Sequence, residues 1–218
     1  MVKLERKYVW EWPVRIAHWV NALSILILSL TGIYIGWGKT LALDPSQYLM
    51  GWVRFIHFMF AYIFTISVFS RIYWAFAGNE HASWRAFVPY LFREGRENMK
   101  GTFLFYTFFR SKPPHAVGHN AMAGSVYLFI FVLYLVMICT GFALYSEHAP
   151  GELMNRTFGL LFALAPNQTL RLVHHGSMWL IICFVINHVY SSILMDVKEK
   201  NGGISSIFSG CKFVPEEK

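Results

Sequence analysis

The chain has 218 residues, of which 56% are hydrophobic, 18% aromatic and only 14% charged, and its mean hydropathy is +0.42. Average soluble chains carry about 25% charged and 45–50% apolar residues, so a water-soluble domain is all but excluded and most of the surface must face lipid. Nineteen Lys and Arg against twelve Asp and Glu give +7, a surplus that basic loops on one membrane side explain without nucleic acid.

Crossing a ~30 Å hydrocarbon core takes roughly 20 apolar residues. In chain order, charge-poor runs of that length lie at about 14–36, 53–77, 123–145 and 170–195. Backbone polar groups in lipid must be satisfied within the segment, so these runs predict an all-α membrane protein, a four-helix transmembrane bundle. The first run carries Arg15 and His18 and has no convincing small-residue cleavage site, so it is expected to stay as a membrane helix. Thr102 to Phe109 and Thr157 to Ala165 are apolar but too short to cross, and read as interfacial or partner-facing segments.

Lys3, Arg6, Lys7 and Arg15 precede or open the first span. Arg71, Arg85, Arg93, Arg96, Lys100, Arg110 and Lys112 fall at the end of the second span and in the connection after it, and Lys198, Lys200, Lys212 and Lys218 follow the fourth. The opposite side holds Lys39, Arg54, Arg156 and Arg171. The positive-inside rule therefore places both termini in the cytoplasm. Cys139, Cys183 and Cys211 are too scattered for a chelating pair, and none sits in a C-x-x-C-H pattern.

Histidine is the specific signal. His18 lies in the first span, His57 in the second, and His174 and His188 in the fourth, and ionisable residues within spans are costly enough to suggest function. Any one alone reads equally well as a core histidine hydrogen-bonded to a neighbouring helix. Their depths discriminate: with the N-terminus inside, His18 and His188 are shallow on the inner side, and His57 and His174 on the outer. His174 and His188 are about 21 Å apart along one helix and, fourteen residues apart, project from nearly the same face, whereas His175 points roughly 100° away. Paired imidazoles at two depths suit two haems with bis-histidine ligation, His57 with His174 and His18 with His188. Filling both axial positions leaves no open site on iron, which suits electron transfer rather than oxygenation.

Arg15, Arg54 and Arg171 each precede a candidate ligand by three residues, one helical turn nearer the surface. Arg71 follows His57 by fourteen. All four are candidate partners for haem propionates, the alternative being basic residues that snorkel at helix ends. Gly32, fourteen residues after His18, would let a macrocycle approach the backbone, or would serve helix packing together with Gly36. Gly141 and Gly176 allow the same two readings. The tryptophans cluster near the span ends as belt anchors.

The segment Trp12-Pro-Val-Arg-Ile-Ala-His18-Trp, then Val53-Arg-Phe-Ile-His57, Arg71-Ile-Tyr-Trp-Ala, Gly118-His-Asn120, Thr140-Gly-Phe-Ala-Leu-Tyr-Ser-Glu147, Met178-Trp and Asn187-His188-Val-Tyr closely resemble the b-type cytochrome subunit of membrane-bound nickel-iron hydrogenases. The resemblance covers about residues 8–200. It implies a single transmembrane cytochrome b domain over 1–200, followed by a cytoplasmic tail at 201–218. It also implies two haems b with iron ligands at His18, His57, His174 and His188, and a place in a bacterial inner membrane. Electrons would come from the iron-sulfur small subunit of the hydrogenase on the outer face, and through it from the large subunit, and would leave to quinone near the cytoplasmic interface. This chain would hold no hydrogenase centre of its own. The outer connection, Ser146 to Thr169, would be the docking surface for the small subunit or a hairpin over the outer haem. His81, His115, His119 and His148 lie in connections and read as surface residues, with His119 a candidate structural residue. A cytochrome serving another periplasmic dehydrogenase, such as formate dehydrogenase, is the near alternative. A histidine-using transporter is the distant one, disfavoured because none of the four spans contains an acidic residue.

Overall fold

The computed structural model describes residues 4–38, 41–42, 44–112, 114, 118, 120–149 and 152–215; Lys3, Lys39, His115, His119 and Lys218 lie outside the described residues. In chain order it contains β1 (Leu4–Tyr8), α1 (Trp12–Trp37), α2 (Leu49–Ala77), α3 (Arg93–Tyr106), α4 (Ala121–Ser146), α5 (Glu152–Thr157), α6 (Asn167–Glu199), α7 (Gly203–Ser209) and β2 (Cys211–Pro215). The long apolar helices α1, α2, α4 and α6 are the four expected spans, and each is long and apolar enough to cross a membrane. Each runs up to about a turn beyond its apolar stretch, because a helix that has satisfied its backbone within lipid gains nothing by ending at the hydrocarbon boundary. Leu26, Leu30, Ile66, Phe69, Val132 and Ile186 are exposed on the sides of these helices, as residues facing acyl chains should be. The chain is a multi-pass membrane protein.

Two compact units divide the chain. One comprises residues 18–69 and 132–185. Its interior is aromatic where α2 meets α4: Phe64 sits edge-on to Tyr134 at 5.0 Å between ring centres, Tyr62 lies 5.1 Å from Phe142, and Phe58 lies 4.5 Å from Tyr145. Such pairs contribute about 0.5–1.5 kcal/mol each beyond the area they bury. The connection between α4 and α6 folds back on this unit. α5 leads into a 3-10 turn, Phe158–Ala163, whose Phe158 packs 5.1 Å from Phe142, while Leu153, Leu160 and Leu164 remain exposed.

The other unit comprises residues 1–17, 70–131 and 186–218. Here β1 and β2 pair antiparallel, from Leu4 opposite Pro215 to Tyr8 opposite Cys211. This ribbon puts the chain before the first span and the chain after the fourth on the same side of the membrane, and it gives the tail a fold that its sequence did not announce. Beneath it, Val9, Trp10, Val14 and Ala82 form a buried cluster with Trp74 against it. Trp10 Nε1 donates to Ser206 Oγ at 3.0 Å, and the amides of Val9 and Trp10 donate to the Gly210 carbonyl at 2.8 and 3.0 Å. Glu11 accepts from Trp74 Nε1 and from the Asn79 amide, at 2.9 and 2.8 Å. Gly210 closes α7 with φ +84° and donates its amide to the Ser206 carbonyl at 2.7 Å, a left-handed helix end that glycine adopts without a Cβ penalty.

Gly118 and Asn120 serve this unit. Asn120 Oδ1 accepts the Ala123 amide at 2.8 Å and so caps α4, while Asn98 Oδ1 of α3 accepts the Ala121 amide at 3.0 Å. Gly118 lies against the His81 ring. Burial holds the His81 imidazole below its ordinary value; Glu80 opposes the shift, and Lys7 and Lys212 add to it. A histidine with a depressed native value takes up its proton more readily when unfolded, so its segment keeps full stability above about pH 6.5 and loses it below. Amide protection around residues 79–87, taken relative to the intrinsic exchange rate at each pH, should therefore fall between pH 7.5 and 5.5 in the native chain, and His81→Asn should remove most of that dependence.

Candidate haem site

Within the unit of residues 18–69 and 132–185, two of the expected ligands are seated alike. His57 of α2 faces α1, where its Nδ1 lies 2.8 Å from Thr31 Oγ1. The Thr31 hydroxyl has one proton, and the Ile27 carbonyl at 2.7 Å takes it. The imidazole must then donate, which puts the ring proton on Nδ1 and leaves the Nε2 lone pair unprotonated. His174 of α6 repeats this against α4: its Nδ1 is 3.0 Å from Thr140 Oγ1, whose proton goes to the Val136 carbonyl at 2.7 Å. Both rings therefore keep Nε2 able to take a metal, with the other nitrogen held by a hydrogen bond, the arrangement that orients metal-ligating histidines.

Two glycines make room for these rings. A Cβ on Gly32 would lie 3.4 Å from His57 Cε1, and one on Gly141 would lie 3.0 Å from His174 Cε1. His175 is placed differently from the sequence expectation. Its Nδ1–H donates to the Arg171 carbonyl at 2.9 Å, and its Nε2 sits where a Cβ on Gly36 of α1 would approach to 2.7 Å. It is thus packed on α1 within electrostatic range of His57, and its offset on the helix wheel did not remove it from the cluster. Thr31 and Thr140 were not singled out from the sequence either, although each is the residue before a glycine that was.

His18 lies on α1 with its ring edge-on to Trp19 at 5.1 Å, and His188 lies exposed on α6. Three and six residues beyond His18, Asn21 Oδ1 and Ser24 Oγ are buried polar atoms without a hydrogen-bond partner among the described residues.

The four arginines separate into two kinds. Arg54 and Arg171 are exposed, and Arg171 Nε donates to Asn167 Oδ1 at 2.7 Å. Arg71 and Arg15 are buried, at 2% and 7% exposure. Arg71 lies 5.0 Å over the Phe87 ring and donates from Nη2 to the Ala82 carbonyl at 3.2 Å. Its Nε and Nη1, and Nε of Arg15, have no acceptor among the described residues. A buried guanidinium with idle donors is costly unless an anion meets it, and a carboxylate matches its fork.

In one unit, histidines with unprotonated Nε2 atoms and glycines beside their rings suit a haem; in the other, buried arginines with idle donors suit carboxylates such as propionates. A transmembrane helical cytochrome is the class these features define. The chain belongs to the prokaryotic cytochrome b561 family, whose sequence profile matches residues 9–210. A Cupriavidus necator protein named "Probable Ni/Fe-hydrogenase B-type cytochrome subunit" is 41% identical over 214 residues, covering 95% of this chain and 87% of that protein. A Rhizobium leguminosarum bv. viciae protein of the same name is 38% identical, covering 96% and 90%. An Escherichia coli K12 protein, "Probable Ni/Fe-hydrogenase 1 B-type cytochrome subunit", is 34% identical, covering 93% and 89%. Haem b is the cofactor of such a cytochrome.

Proposed function

We propose that this chain is the membrane cytochrome b of a nickel-iron hydrogenase complex, carrying electrons from hydrogen oxidation on the outer face to quinone. The observation that carries the reading is the seating of His57 and His174, each held by a threonine so that Nε2 is left to bind iron. The names of its relatives supply the hydrogenase, and the charge distribution supplies the orientation, with both termini cytoplasmic in a bacterial inner membrane.

Haem b supplies a reversible one-electron couple. The chain's residues hold it and keep its surroundings dry. His57 and His174 would hold the outer haem, and His18 and His188, chosen by sequence register, would hold the inner one. Arg71 and Arg15 have idle donors for propionates; Arg54 and Arg171 stand at the outer ends of their helices for the same role. The outer connection, with Leu153, Leu160 and Leu164 exposed, is the docking surface for the hydrogenase small subunit. Quinone would be reduced near the cytoplasmic interface, where proton uptake makes the reaction charge-separating.

The purified full-length chain should show a b-type reduced-minus-oxidised spectrum with two haems per chain, and in membranes holding the whole complex these bands should be reduced by hydrogen. A colourless preparation would reject the electron-transfer reading. Bands reduced by formate and not by hydrogen would assign the chain to another dehydrogenase.

A further inference from the structure

The sequence contains two Thr-Gly steps, Thr31-Gly32 and Thr140-Gly141. They fall on different helices, α1 and α4, and each receives a histidine from a different neighbour, α2 and α6. The contacts correspond closely, although His174 also has the Met137 backbone as a hydrogen-bond partner. In both, the imidazole Nδ1 meets the threonine Oγ1, at 2.8 and 3.0 Å, and the adjacent ring carbon Cε1 lies against the following glycine. In both, the hydroxyl proton is committed to the carbonyl four residues back. The edge of each ring thus lies along a Thr-Gly step, with threonine orienting it and glycine admitting it.

Core packing alone does not call for this repetition. A histidine merely filling space needs no acceptor fixed at Nδ1, and valine would fill the volume of threonine. What the pair of steps achieves is chemical: the same tautomer and the same Nε2 donor on two helices. We propose that Thr31 and Thr140 are positioning residues for the outer haem, twin acceptors that fix the His57 and His174 tautomers and tune the strength of both axial bonds. The proposal rests on His57 and His174 being the iron ligands. An acceptor at Nδ1–H leaves more electron density on Nε2, which favours the ferric state and lowers the potential of that haem.

Redox potentiometry and low-spin electron paramagnetic resonance of the full-length chain test this. Thr31→Val and Thr140→Val keep the shape and remove the hydroxyl acceptor. Each should raise the midpoint potential of one haem, shift its resonance signature and leave the other haem unchanged; the double variant should do so further and weaken retention of that haem 10–100-fold. Thr31→Ser and Thr140→Ser should restore native values. Unchanged potentials and resonances in the valine variants would overturn the proposal. If valine costs the haem altogether, the serine variants decide: retention at native potential supports the hydroxyl, and loss there too overturns it in favour of methyl packing. Failure of the underlying reading looks different, because His57→Ala and His174→Ala would then keep both haems.

Discussion

His57→Ala should halve the haem content of the purified chain, from two per chain to one, and collapse its potentiometric titration to a single wave. Alanine removes both the Nε2 donor and the ring that Thr31 orients, and a low-spin bis-histidine haem does not survive on one axial bond. His174→Ala should remove the same component. His18→Ala and His188→Ala should remove the other, leaving the wave that the His57 variant lost. Electron flow from hydrogen to quinone should fall to background in all four, as the proposed relay through two haems in series requires. His175→Ala is the sharpest control. That ring also has a free Nε2 in the outer cluster, so retention of both haems in this variant, with loss in His174→Ala, assigns the ligand between two adjacent histidines. Loss of the same haem in the His57 and His18 variants would break the pairing.

Gly210→Ala should open the terminal ribbon. At φ +84° a side chain costs about 1–2 kcal/mol by itself. The added Cβ would also lie 2.6 Å from Tyr8 Cε2, 2.8 Å from Arg15 Nη1 and 2.9 Å from the Trp10 carbonyl. The last is backbone that already accepts no slack, since the Val9 and Trp10 amides are bonded to the Gly210 carbonyl. A local loss of about 2–3 kcal/mol follows. It should appear as fast hydrogen exchange at residues 4–10 and 211–215 and as new protease cleavage there, with the haem spectrum retained. Native exchange in the variant would refute it.

The spans were legible in the sequence because lipid imposes length and composition directly on each segment. That His57 and His174 belong to one unit, each turned to a neighbouring helix, agrees with their spacing because helical register carries residue spacing into depth. What escaped depended on neighbours. Leu4–Tyr8 and Cys211–Pro215 carry no strand signal strong enough to stand without each other, since pairing between distant segments leaves no local pattern. The 100° offset of His175 gave its direction on α6 but not which helix would meet it, and α1 does so at Gly36. Equal spacing from a candidate ligand made Arg15, Arg54 and Arg171 look alike, whereas their surroundings bury the first and expose the other two. Thr31 and Thr140 were hidden by their ordinariness: threonine within a span reads as a residue bonded to its own helix, which each also is.

The terminal ribbon has a bearing on biogenesis. Its first strand is synthesised before any span and its second only after the fourth, about 200 residues later, so closing it carries the loop entropy of nearly the whole chain. It zips only when an even number of crossings has been made. A nascent chain that missed one crossing would strand the two segments on opposite faces of the bilayer, leaving bare strand edges and an uncovered Trp10 open to quality-control proteases. Closure of the ribbon is thus incompatible with an odd number of crossings.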